Sequence, residues 1–83
     1  MTDSKIGKVI HYYDKIGVAI LLLDDVLNVG DKIKIKRGEN SFEQTVESMQ
    51  ESHKPINNAV AGQEIGLKVG QPVTKGSIVY KAS

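Results

Sequence analysis

The stretch VGDKIKIKRGENSFEQTVE (residues 29–47) decides how the chain folds. Ile33 and Ile35 alternate with Lys32, Lys34 and Lys36. A period of two is a strand with one apolar and one charged face. Gly30-Asp31 supplies the turn before it. A four-residue loop over residues 38–41 would send the chain back as a second strand. In that register Lys36 faces Glu43, Lys34 faces Thr45 and Lys32 faces Glu47, with Ile33 against Val46 on the buried side. Opposite charges across a strand pair contribute roughly 0.2–1 kcal/mol each. A cationic stripe that grips phosphates is the other reading, but such a grip needs unpaired cations. The pairing therefore assigns the lysines to their neighbour strand and leaves Arg37 unpaired at the tip. Met49 falls on the charged side of the alternation, so a bulge or change of face is expected near Ser48.

The same period runs outward in both directions. Strands are expected at 6–12, 16–23, 42–48, 63–69 and 77–81 beside the one at 32–36. The segment IGVAILLL (16–23) is apolar on both faces at its end, as for a strand covered by sheet on one side and loops on the other. ESHKPINNAVAG (51–62), broken by Pro55 and Asn57-Asn58, reads as a long irregular connection. Gly7, Gly17 and Gly66 mark points of sharp coiling. The expected fold is all-β: a small, six-stranded, closed antiparallel barrel of Greek-key type, since closure removes exposed strand edges. Residues 1–5 read as a polar leader that frays, and 6–83 as one barrel domain.

Composition narrows the function. Eleven basic and ten acidic residues give a net charge of +1, so no global field draws the chain to DNA or to an anionic membrane. The longest apolar run, 18–23, is too short to cross a bilayer. There is no cysteine, which excludes disulfides and thiolate metal sites and fits a cytoplasmic setting. Two histidines do not make a zinc site unaided, and neither a metal nor any cofactor is expected. A monomer is expected.

Four motifs carry a resemblance. They are Val29-Gly30-Asp31-Lys32-Ile33-Lys34-Ile35, Ser48-Met49 with His53, Ala61-Gly62-Gln63-Glu64-Ile65-Gly66, and Lys75-Gly76-Ser77-Ile78-Val79. In this order and spacing they resemble the β-barrel second domain of translation elongation factor GTPases. The likeness covers residues 6–81 and implies a translation-factor-like barrel, here standing without a GTPase domain. No GxxxxGK[ST] occurs, so nothing cradles a nucleotide as a P-loop does. A small C-terminal barrel of some collagenase-like peptidases, associated with RNA modification, is a second resemblance. In the elongation factors this barrel helps hold the aminoacylated tRNA end. The family's Asn is Glu64 here and a small Gly is Ile20, departures that weigh against that role.

Candidate binding residues follow from chemistry. Tyr12 and Tyr13, beside His11, form an aromatic cluster that offers a stacking platform near Arg37, or else covers a barrel end. His53 and Lys54 lie on the long connection, either to meet a base or phosphate or simply to be solvated. Glu64 and Lys68 share the outward face of one strand, lining a shallow groove or standing in solvent. No catalytic constellation is visible: Asp24-Asp25 are strand neighbours that point apart, and no serine has a nucleophile-elbow context. The expected function is a non-catalytic binding module in translation or RNA metabolism, docking to tRNA, rRNA or a translation-associated protein. One rival is a protein-interaction adaptor for a separately encoded GTPase or a collagenase-like peptidase or RNA-modifying enzyme. The other is a small-ligand-binding barrel with a cleft near Glu64.

Overall fold

The computed structural model describes residues 4–52 and 54–82. Among the described residues ten strands follow one another: β1 Ser4–Tyr13, β2 Val18–Leu23, β3 Leu27–Asn28, β4 Lys32–Arg37, β5 Asn40–Thr45, β6 Met49–Glu51, β7 Lys54–Ile56, β8 Asn58–Ala59, β9 Glu64–Lys68 and β10 Ile78–Lys81. Eight form one sheet in the order β5-β4-β10-β1-β2-β9-β6-β7, and β3 pairs with β8 in a second, two-stranded sheet. Every ladder is antiparallel. No helix among the described residues is long and apolar enough to cross a membrane.

The all-β class stands, but six strands in a closed barrel do not. Among the described residues no ladder joins β5 to the other end of the sheet. The reason lies at 46–48. Val46 is buried and still bonded to the β4 side through Gly30 N–H and Asp31 C=O, while Met49 is buried against β9. The chain must change face between them, as expected near Ser48, so the strand expected over 42–48 ends at Thr45 and β6 begins only at Met49. The gap between β5 and β9 is spanned by one side chain: Gln44 Nε2 donates to the Lys68 carbonyl and Gln44 Oε1 accepts from the Gly70 N–H, each at 2.9 Å. The long connection also differs from expectation, since 51–62 contains β7 and β8.

The register of the opening stretch shifts as well. Arg37 pairs with Asn40, so the loop is the two residues Gly38 and Glu39 rather than four. Gly38 lies at φ 59°, in the first loop position, where a type II′ hairpin turn requires glycine. Lys34 now faces Glu43, Lys32 faces Thr45 and Ile33 faces Gln44. Lys32 still reaches Glu43 diagonally, Nζ to Oε1 at 3.2 Å. Glu43 thus answers Lys32 and stands opposite Lys34, whereas Lys36, expected to face Glu43, lies opposite Ser41.

The core is aliphatic. Ile6, Val9, Leu21, Leu23, Leu27, Ile33, Ile35, Ile65, Leu67 and Val79 are all essentially inaccessible, and Tyr12, Phe42 and Ile56 pack on them. Burying each such large aliphatic side chain stabilises the fold by roughly 1.5–3 kcal/mol. Ser77 is the buried polar residue of the described set, and its hydroxyl lies 3.4 Å from both the Thr74 N–H and the Thr74 hydroxyl. Ser4 pairs with Lys81 and Lys5 with Tyr80, so β1 reaches two residues into the stretch expected to fray.

Candidate functional site

A register shift in β1 sets which aromatic faces out. The shift between Val9 and His11 leaves Ile10 as an extra residue against β2. Such a bulge re-aims the side chains that follow it. Val9 points into the core, and after the bulge it is Tyr12 that faces inward while His11 and Tyr13 face out. The His11 and Tyr13 rings meet at 4.4 Å between centroids, tilted by 60°.

Next to them, the outer face of β2 is apolar. Val18, Ile20 and Leu22 point away from the core and are half-buried, and Ile16, just before the strand, is 62% exposed. The cover expected from loops is partial: Glu51, Ser52, Gly62 and Gln63 of the following connections border this face beside Val18 and Ile20. On the adjacent strand, β9, the outward positions are Glu64, Gly66 and Lys68, with Ile65 and Leu67 in the core. Gly66 stands between Ile20 on one side and Gln50 on the other. The side chains on either side close over it, so the glycine is buried. A Cβ placed there would come within 3.3 Å of Gln50 Cγ, 3.4 Å of Val18 Cγ1 and 3.6 Å of Ile20 Cδ1.

The result is a groove with two lobes that share Ile16, Val18, Gln50 and Gly66. The larger, about 860 Å³, runs past Tyr13 and Ile20 to Glu51 and Glu64. The smaller, about 360 Å³, ends at Pro55 and Lys68. One lobe therefore carries carboxylates and the other an ammonium group, with aliphatic side chains between. Glu51 is held in place: Gln63 Nε2 donates to its Oε2 at 2.6 Å, and Gln63 Oε1 accepts from the Val60 N–H at 2.6 Å. Among the described residues neither Glu64 nor Lys68 enters an ion pair. No group of three histidine, aspartate or glutamate side chains among the described residues is placed to hold a metal ion.

The candidate residues thus separate. Tyr13, Glu64 and Lys68 come together in the groove. Tyr12 is packed on the core from the other face of the sheet, which takes it out of any surface platform. Arg37 lies at the β4–β5 hairpin tip, beside a small recess of about 60 Å³ lined by Phe42, Pro72 and Val73, and no groove residue is there. Lys54 is exposed on β7, opposite Glu51 in the ladder. His53 lies outside the described residues. Sequence reasoning missed Ile16, Val18, Gln50 and Gly66. The apolar outward positions of 16–23 were a signal, but the groove needs Gly66 set beside Ile20 and Gln50, which only the register reveals.

Comparison with known proteins returns peptidases. No family model matches the chain. It is 36% identical over 77 residues to an uncharacterised protease of Methanocaldococcus jannaschii, a match that takes in 92% of this chain. The chain spans 19% of that relative's length. The fold matches the C-terminal domain of a Geobacillus thermoleovorans protein assigned to the U32 peptidases, seen in two crystal structures. One aligns with a TM-score of 0.90 at 20% identity, covering 96% of this chain and 93% of that domain. Its selenomethionine form aligns at 0.89 and 21%, covering 94% and 99%.

These findings overturn the assignment to an elongation-factor second domain and to the translation machinery. The motifs that suggested it are structural ones. Gly30 and Gly62 hold positive φ in turns, Ile33, Ile35 and Ile65 are core, and Ser77 is buried. Such positions record how a small curled sheet is built and not what it binds. The chain is similar, over nearly all its length, to a segment of an archaeal protease, and it has the fold of a U32 peptidase C-terminal domain.

Proposed function

We propose that this chain is a non-catalytic accessory module of the U32 peptidase type, which docks onto a peptidase-like catalytic body. One observation carries the reading: the match to the archaeal protease takes in 92% of this chain but 19% of that protein. On this reading the chemistry of a protease resides in the remaining four-fifths or so of that relative. The aliphatic core supports this role, because it packs the interior and leaves the surface to make contacts. The cysteine-free sequence fits a reducing compartment, and the cytoplasm is the setting we propose.

The test uses purified chain and the body of the Methanocaldococcus jannaschii protease without its matching segment. Sedimentation should show a one-to-one complex, and the chain alone should not cleave gelatin or casein. Peptide cleavage that co-purifies with the chain, and is retained after a second orthogonal column, overturns the non-catalytic reading. Failure to form the complex overturns the docking reading.

A further inference from the structure

The groove on the outer face carries a polarity that the accessory role does not require. Glu64, Gly66 and Lys68 are successive outward positions of one strand, so their side chains repeat every second residue. Glu64 and Lys68 are four residues apart, or roughly 13 Å along a strand. The carboxylate lobe gains a second acid in Glu51, fixed there by Gln63. Tyr13 stands over the same lobe, and Ile16, Val18 and Ile20 floor the centre. Around Gly66 the floor is apolar: Gln50 Cγ, Val18 Cγ1 and Ile20 Cδ1 close over the glycine and form a surface on which an aliphatic side chain can rest.

A polypeptide in extended conformation has the same period of two. Laid along β9, its alternate side chains fall over Lys68, Gly66 and Glu64 in turn. We propose that the groove is a docking track for an extended segment of a partner protein that presents a basic, an aliphatic and an acidic residue at alternate positions. The basic residue meets Glu64 and Glu51, the aliphatic one rests on Val18 and Ile20 over Gly66, and the acidic one meets Lys68. Charge complementarity selects this occupant: a uniformly cationic or anionic segment places a like charge against one end, which is destabilising. The inference goes beyond the accessory-module reading and does not depend on it, since the track belongs to the isolated chain.

The experiment titrates isotopically labelled chain with the capped peptide Ac-Arg-Ser-Leu-Ser-Glu-NH2 and follows amide chemical shifts. The expected result is saturable change centred on Val18, Glu64, Gly66 and Lys68. The control peptide Ac-Glu-Ser-Leu-Ser-Glu-NH2 should bind about three- to tenfold more weakly, the range for one ion pair lost and one repulsion gained at half-exposed sites. Glu64→Lys, a change at an exposed side chain, should reverse that order of preference. Gly66→Ala, at a position without positive φ, should weaken both peptides while the chain keeps its dispersed spectrum. Changes that do not saturate, that centre elsewhere, or that are equal for both peptides overturn the proposal. Groove shifts that grow with protein concentration before peptide is added would also overturn it, because a second copy of the chain would then be the occupant. All these outcomes are read without any catalytic body, so they are separable from failure of the docking reading.

Discussion

The carboxamide of Gln44 and the carbonyl of Lys68 are joined at 2.9 Å, and the same carboxamide takes the Gly70 N–H. A side chain on β5 thus presents one donor and one acceptor, as a peptide group would, to the segment after β9. It does so where no ladder continues. Gln44→Ala should destabilise the fold by roughly 1–2 kcal/mol, the ordinary net worth of two hydrogen bonds. Gln44→Glu keeps an acceptor for Gly70 but has no donor for Lys68, and a carboxylate near a carbonyl is unfavourable. We expect Gln44→Glu to be no more stable than Gln44→Ala in urea unfolding at neutral pH. A Glu variant as stable as the parent would contradict the bridging role.

Gly7 lets β1 and β2 approach. A Cβ there would stand 2.7 Å from the Leu22 carbonyl oxygen and 3.3 Å from Leu23 Cα, both backbone atoms. Neither can rotate away, so Gly7→Ala must part the two strands. The expected cost is about 1–3 kcal/mol, measured as a lower midpoint in urea unfolding. Gly66→Ala, whose nearest neighbours are side-chain atoms, should cost less than Gly7→Ala in the same assay.

Ser52 holds φ 52° without being glycine, in the turn between β6 and β7. The left-handed region costs an L-residue roughly 1–2 kcal/mol, and a β-branched side chain tolerates it worst. Ser52→Val should therefore lower the thermal midpoint, whereas Ser52→Gly should leave it unchanged or raise it. Calorimetry on the two variants decides the ordering.

Lys32 and Glu43 form a contact with both side chains about half exposed. Lys32→Ala should cost only about 0.2–1 kcal/mol, and the difference from the parent should shrink in high salt. By contrast Leu21→Ala, at a fully inaccessible position, should cost about 2–5 kcal/mol and be insensitive to salt. A salt-independent loss at Lys32 would mean that the pair is more shielded than its exposure indicates.

Much of the architecture can be read from residue order, and the limits have identifiable causes. The face of Ile33 and Ile35 follows from alternation alone, and both are buried as expected. The pairing of that strand depends on loop length, and Gly38 in a left-handed turn shortens the loop to two residues. Tyr12 and Tyr13 are chemically alike, and only the extra residue at Ile10 determines which reaches the surface. Glu64 and Lys68 were legible as outward neighbours. Their joining with Tyr13 into one groove was not, because it requires β1, β2, β9 and β6 to lie side by side.

The strand order carries one more consequence. β10 lies between β4 and β1, near the middle of the large sheet, though it is the last of the ten strands to be reached along the chain. Ile78–Lys81 supplies the ladders on both sides, to β1 and to β4. Loss of those four residues would open the sheet in its interior rather than trim its margin, so β10 is the keystone of the large sheet.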